Sequence, residues 1–407
     1  MGLAKFIEER THLSEIFQSQ MVDYKVPKNL TFPYAFGILA IIAFTVQIVS
    51  GMILLMYYKP YDTLAFDSAA LFIWKVIPYG WLFRSIHAAG ANFFLAVIYL
   101  HMFTGIYYNA YKKPRELVWV MGFIIYFLLL LTALTGYVLP WGQLSYWATE
   151  VTVEIPGAIP GVIGETISLL MRGGYTLGNL ALGRFFALHV LILPLILLGV
   201  VSIHLFLVRA AGISNPDGKP FDKKKEGVPF HPYVTLKEGA IAMFYLALFF
   251  FFVFFYMKEF LPATNWEPAN PLQTPAEIAP EWYLKGYYAI FRSIPNKFIG
   301  FVTFNLVLAL LLLLPWLDFS PIRSARRRPL FFIMYIVFIF AGAGLTIIGT
   351  LQATPQVAKV GLFFTALLFL FFISLPIISF IELGYAKAKG EVDYAKGEVD
   401  YAKGGKQ

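Results

Sequence analysis

Eight runs of apolar residues divide the chain, at roughly 34–57, 82–108, 117–138, 184–208, 239–257, 298–316, 329–348 and 359–382. Each is near the ~20 residues that carry an α-helix across a ~30 Å hydrocarbon core. The pattern predicts an all-α integral membrane protein with eight transmembrane helices. Two long polar stretches interrupt it: 140–182, with prolines, glycines and room for a short helix or two, and 258–296, rich in Pro, Trp and acidic residues. Loops of this length in a compact protein usually have a function. Residues 3–18 predict a short amphipathic helix at the membrane surface. The first thirty residues lack the apolar centre and small-residue cleavage site of a signal peptide.

Composition agrees with the pattern. The chain of 407 residues is 59% hydrophobic and only 14% charged, where a soluble domain would carry ~25% charged residues. The net charge of +8 is spread between apolar runs rather than gathered in one patch, so no nucleic-acid partner is expected. There is no cysteine, which excludes disulfides, thiolate-held iron–sulfur clusters, Cys-based zinc sites and C-x-x-C-H haem attachment.

The short loops set orientation. Lys112, Lys113 and Arg115 follow the second span, Lys219 and Lys223 to Lys225 the fourth, and Arg323 and Arg326 to Arg328 the sixth. By the positive-inside rule these loops, and both termini, lie on the cytoplasmic or matrix side. The two long loops then face outside, with Glu150, Glu154, Glu165, Glu267, Glu277 and Glu281. Arg326 to Arg328 read first as a topology signal and second as an anionic-lipid contact. The tail repeats GEVDYAK at 390–396 and 397–403, a low-complexity solvated extension.

Candidate chemistry lies in the histidines. Of six, His12 and His231 lie outside the apolar runs, while His87 and His101 share the second span and His189 and His204 the fourth. On an ideal helix the first pair is ~21 Å apart and ~40° offset, the second ~22 Å and ~60°. The second and fourth spans run in the same direction, so His87 is level with His189 and His101 with His204. Two imidazoles facing at one depth are the axial ligands of a six-coordinate haem. The alternative, that each histidine bonds a neighbouring helix, accounts for one such residue more easily than for four at matched depths. Polar groups inside membranes are costly and tend to mark function.

Gly37 and Gly51 in the first span, and Gly122 and Gly136 in the third, repeat the fourteen-residue spacing of His87 and His101. Glycine admits a flat macrocycle close to the backbone, although small residues also serve plain helix packing. Arg84 and Arg184 stand just before His87 and His189, where they can pair with propionates or snorkel to the interface.

The stretches RSIHAAGA, GYVLPWGQLSYW, GRFFALH, FHPYVTLKE and PEWYLKGYYAIFRSIPNK resemble cytochrome b, the membrane core of quinol–cytochrome c reductase complexes, over about residues 20–383. The resemblance implies two non-covalent b haems: a low-potential outer one on His87 and His189, and a high-potential inner one on His101 and His204. It implies quinol oxidation at an outer site of Tyr137, Trp147, Ala148, Pro280, Glu281, Trp282, Tyr283 and Tyr288, and quinone reduction at an inner site near Arg209, Lys237 and Glu238. Proton translocation, a Rieske-type iron–sulfur subunit, a c-type cytochrome subunit, bound lipid and a homodimer follow from the same resemblance, in a bacterial cytoplasmic or mitochondrial-type inner membrane. Quinol oxidation sheds two protons, and Glu281 is a carboxylate placed to accept one. Four parts are expected: a surface segment 1–33, a haem-binding bundle 34–210, a C-terminal part 211–383 with the outer loop, and the tail 384–407.

Some positions depart from the family. Thr104 replaces a frequent arginine three residues after His101, which leaves Arg115 as a cation for inner propionates. Arg209 and Glu238 stand where mitochondrial-type members have His and Asp. Ala148 replaces a frequent glycine and is expected to narrow the outer pocket. The KKPREL stretch (112–117) and the fifteen-residue spacing of His189 and His204 resemble the split chloroplast-type cytochrome, but Ala35 replaces the cysteine that would tether a third haem. A dihaem anchor of a dehydrogenase and a transporter with proton-relaying histidines compete with this reading. The last four spans and the PEWY stretch argue against the first, and the second requires no haem.

Overall fold

The computed structural model describes residues 2–219, 222–275 and 278–388, with 392–393 and 398–399. Glu277 and most of the GEVDYAK tail lie outside the described residues, though Val392–Asp393 pairs antiparallel with Glu398–Val399. Among the described residues, seven helices are long and apolar enough to cross a membrane. An eighth apolar run forms a helix of only 16 residues.

In chain order the main helices are α1 (Phe36–Leu55), α2 (Gly80–Tyr107), α3 (Glu116–Val138), α4 (Asn179–Ala211), α5 (Thr235–Phe255), α6 (Trp282–Ser293), α7 (Lys297–Leu312), α8 (Pro329–Ile348) and α9 (Pro355–Ala388). α7 is that 16-residue helix. Pro315, which has no N–H to donate, sits in a separate four-residue helix, Leu314–Leu317, that completes the apolar run. The N-terminal segment forms two short helices, Leu3–Thr11 and Leu13–Phe17. The first long loop carries helices Gln143–Glu154 and Val162–Arg172.

α1 packs along α2, and α3 along α4; α8 packs along α9 and against α6. The outward faces keep their apolar side chains exposed: α5 presents Met243, Phe244, Phe254 and Phe255. Such faces suit lipid, which is as apolar as the side chains themselves.

α4 is not a uniform α-helix. Residues Leu188–Ile192 form a π-helical turn, and Pro194 follows at the start of the next α-helical segment. A proline cannot donate to the carbonyl four residues back, and a π turn absorbs one extra residue. The fifteen-residue spacing of His189 and His204 thus spans one inserted residue, and the ideal-helix offset of ~60° does not apply.

The basic loops and the N-terminal segment meet at one end of the bundle. Lys25–Pro27 (β1) pairs antiparallel with Gly227–Pro229 (β2). Arg326 pairs with Asp217 at 3.5 Å. Lys112 Nζ donates to Ser320 O at 2.8 Å. Beneath these contacts lies a buried ionic cluster. Arg328, fully buried, donates to both oxygens of Asp318 at 2.7 Å and from Nε to Glu382 at 2.8 Å. Lys112 Nζ lies 3.1 Å from Asp318, and Ser379 Oγ donates to it at 2.9 Å. Burial alone would raise the Asp318 carboxyl, but Lys112 and Arg328 hold it well below the usual carboxylate range.

Candidate functional site

At the opposite end, a cavity of about 540 Å³ opens between α1, α2, α3 and α4, within the ~300–1,000 Å³ range of cofactor pockets. Its walls are mostly aliphatic and aromatic. His87 enters from α2 and His189 from the π turn of α4. Their rings stand edge to face with centroids 6.0 Å apart. Two metal–imidazole bonds of ~2 Å each, plus the distance from nitrogen to ring centre, give about that separation.

Hydrogen bonds fix which nitrogen of each ring is available. Thr132 O can only accept, so His189 Nδ1, 2.9 Å away, carries the proton. Ser50 Oγ donates to Val46 O at 2.6 Å, so it must accept from His87 Nδ1 at 2.9 Å. Both rings are therefore held with an Nε2 lone pair free, the arrangement that orients a ligating imidazole.

The glycines lie against the imidazoles. A Cβ on Gly51 would come within 3.2 Å of His87 Cε1, and one on Gly122 within 3.3 Å of His204 Cε1. On Gly136 it would collide with the His189 ring, whereas on Gly37 it would meet His101 at an ordinary 3.6 Å. Of the inner pair, His101 and His204 are close enough to interact electrostatically. His204 Nδ1 is buried and lacks a well-formed hydrogen bond.

Among the described residues, no three His, Cys, Asp or Glu side chains gather as a bare-metal site. A macrocycle brings its own four equatorial nitrogens and asks the protein for two axial ones. The opposed imidazoles, the glycine slots and the apolar walls fit such a group.

Arg84 lines the same cavity. Its guanidinium lies 4.5 Å from the Trp266 ring and donates to Ala69 O at 3.0 Å. Arg184 differs from the expectation: it is exposed, donates to Leu170 O and does not line the cavity. Arg115 is at the other end, where its Nε donates to Gly212 O at 2.8 Å and it borders a second, polar pocket with Lys25 and Arg323.

Glu281, Tyr283 and Tyr137 also face the outer cavity. Glu281 is the N-cap residue of α6, yet its side chain makes no capping bond and is left to the cavity. Tyr137 Oη, which has no other hydrogen-bond partner, is turned toward it. Burial pushes the Glu281 carboxyl above its ordinary range, against the opposing pull of Lys285 and the Tyr137 hydroxyl.

The rest of the expected outer set lies around the cavity rather than on it. Trp282 Nε1 donates to Asn92 Oδ1 at 2.9 Å. Trp147 Nε1 donates to Asn270 O at 3.2 Å, and Tyr288 stacks under Arg292 at 5.1 Å. Pro280, Trp147, Ala148 and Tyr288 do not line the cavity.

The two long loops are stitched together by residues the sequence did not single out. Gln143 N donates to Glu267 O at 2.9 Å, and Ser145 N to Asn265 Oδ1 at 2.9 Å. Ser50 and Thr132 were likewise missed. Ser50 had one signal, a hydroxyl directly before the slot glycine Gly51; Thr132 had none, because it acts through its backbone carbonyl.

At the end that carries the basic loops, Arg209 stacks over Tyr24 at 4.2 Å and Phe230 at 4.9 Å and acts electrostatically on Glu238. Lys237 lies 4.1 Å over the Tyr233 ring. Lys237 is thus engaged by its own aromatic neighbour, and Arg209 by Tyr24 and Phe230.

Comparison with known proteins agrees with this geometry. Residues 21–212 match the family model described as cytochrome b/b6/petB, and residues 268–369 that described as cytochrome b(C-terminal)/b6/petD. Cytochrome b of Allochromatium vinosum is 40% identical over 93% of this chain and 95% of its own length. Cytochrome b of Rhodospirillum rubrum is 41% identical over 86% of this chain and 85% of its own. A solved structure titled hyperthermophilic respiratory Complex III contains a chain that is 65% identical. It superposes with a TM-score of 0.91 over 94% of this chain and 100% of that one. The chain belongs to the cytochrome b family.

Proposed function

We propose that His87 with His189, and His101 with His204, are the axial ligands of two b haems, and that quinol is oxidised beside the first pair. Membership of the family makes the chain a haem-binding, electron-transferring membrane subunit of a respiratory complex III, a quinol–cytochrome c oxidoreductase. The observation that carries the finer reading is one cavity that holds both a pair of opposed, tautomer-fixed imidazoles and the free carboxylate of Glu281. When bound, the haems supply one-electron centres at two depths of the bilayer.

The chain's own residues do the rest. Gly51 and Gly136 leave slots beside the rings, and Gly37 and Gly122 do so for the inner pair. Arg84 offers positive charge to propionates at the outer end, with Arg115 the candidate at the inner end. The aliphatic walls keep water from the reacting quinol. Glu281 Oε accepts one of its two protons, aided by a carboxyl whose basicity burial has raised. Tyr137 and Tyr283 shape the pocket, with Pro280, Trp282, Trp147, Ala148 and Tyr288 in its outer surroundings. Arg209, Lys237 and Glu238 line the inner quinone site, where Glu238 returns protons.

The chain has no cysteine, so an iron–sulfur cluster would be held by a Rieske-type partner, with a c-type cytochrome subunit as the further partner. The complex is a homodimer in an energy-transducing membrane, with the basic loops and both termini on the cytoplasmic or matrix side. A dithionite-minus-ferricyanide spectrum of the purified complex tests the reading. Two b centres titrating at different potentials are expected; the lack of a b-type α-band would overturn it.

A further inference from the structure

Three tyrosine hydroxyls are buried where α2, α3 and α6 meet: Tyr99, Tyr126 and Tyr287. Their protons can point only one way. The carbonyl of Tyr283 accepts and cannot donate, so Tyr99 Oη gives it its proton at 2.8 Å. Tyr99 must then accept from Tyr126 Oη at 2.9 Å. Tyr126, its own proton spent, must accept from Tyr287 Oη at 2.6 Å. The chain leaves α6 at Tyr287, passes through α3 and α2, and returns to the α6 backbone one turn earlier. Hydrogen bonds linked in series polarise and strengthen one another.

The end point is Tyr283, which faces the outer cavity two residues after Glu281. The helix that supplies Tyr99 also carries His87 and His101, and its Asn92 holds the Trp282 indole. The first turn of α6 is therefore registered against α2, the helix of two haem-ligand candidates.

We infer that Tyr99, Tyr126 and Tyr287 are positioning residues for quinol oxidation: a one-way hydroxyl clasp that sets Glu281 and Tyr283 against the outer cavity. The inference rests on the outer-site reading proposed above. It requires the hydroxyls to act in series, because only Tyr99 touches the Tyr283 carbonyl.

The test uses Tyr99→Phe, Tyr126→Phe and Tyr287→Phe, each in the assembled complex, with kcat and KM for a short-chain quinol and the b spectrum measured together. Phenylalanine keeps the ring and removes one hydroxyl. Tyr99→Phe is expected to raise KM about 5-fold, the scale of one lost hydrogen bond, with both b centres retained. Tyr126→Phe and Tyr287→Phe should raise it progressively less. The double variant Tyr99→Phe/Tyr126→Phe should behave as Tyr99→Phe alone, since the clasp is already open. Unchanged KM in Tyr126→Phe and Tyr287→Phe, or additive effects in the double variant, would overturn the inference and leave only packing. A wild-type complex that binds haem but does not oxidise quinol would remove the outer-site reading itself, and the positioning role with it.

Discussion

His87 and His189 stand edge to face across one cavity with ring centroids 6.0 Å apart, each tied at Nδ1 to the neighbouring helix. They should therefore fail together. His87→Leu and His189→Leu are each expected to remove the same one of two b centres, and His101→Leu and His204→Leu the other. Potentiometric titration of the b absorbance checks this. Loss of different centres from His87→Leu and His189→Leu would refute the pairing.

The glycine slots differ in tightness. A methyl on Gly136 has no room beside His189, while one on Gly37 meets His101 at ordinary contact distance, 3.6 Å. Gly136→Ala is expected to abolish the outer b centre and spare the inner one, and Gly37→Ala to retain both. Haem content per protein, with the redox titration, reads the difference.

Glu281 accepts a proton only when ionised, and burial raises its pKa. Quinol oxidation should fall as pH drops through that raised value, so the acid limb of the kcat profile lies above the ordinary carboxylate value of ~4.3. Glu281→Gln should lower kcat by about 10² and flatten that limb. An acid limb that persists in Glu281→Gln assigns it to another group.

Arg328 is fully enclosed by Asp318, Glu382 and Asn109. Removing one partner of a buried ion pair costs about 3–5 kcal/mol, because the other charge stays buried. Arg328→Met and Asp318→Asn should each lower the unfolding temperature of the detergent-solubilised complex, with the b spectrum of surviving protein unchanged. The folded pKa of Asp318 is depressed, so its contribution is complete above the unfolded value of ~3.9 and is lost as pH falls through the folded one. Wild-type protein should thus lose stability in acid more steeply than Asp318→Asn.

The histidines and slot glycines were legible because polar or missing side chains are conspicuous in helices otherwise built of Leu, Ile and Phe. Depth followed from rise per residue alone. The rotational offset in α4 did not, because the π turn at Leu188–Ile192 depends on backbone bonding around Pro194. Arg184 was misplaced for a similar reason: its carbonyl partner, Leu170, sits on a loop helix whose position is set by tertiary packing. Tyr126 and Tyr287 carried no signal among 24 tyrosines. Which hydroxyls meet is decided by how α2, α3 and α6 cross, not by spacing along any one of them.

The buried ionic cluster draws on distant parts of the polypeptide: Lys112 after α2, Asp318 and Arg328 before α8, and Glu382 near the end of α9. Two cations and two anions cancel only when all four are present. Without Glu382, Arg328 would face a single carboxylate and Ser320 Oγ would lose its acceptor. Glu382 of α9 thus completes the neutralisation of a cluster whose other members lie more than fifty residues earlier.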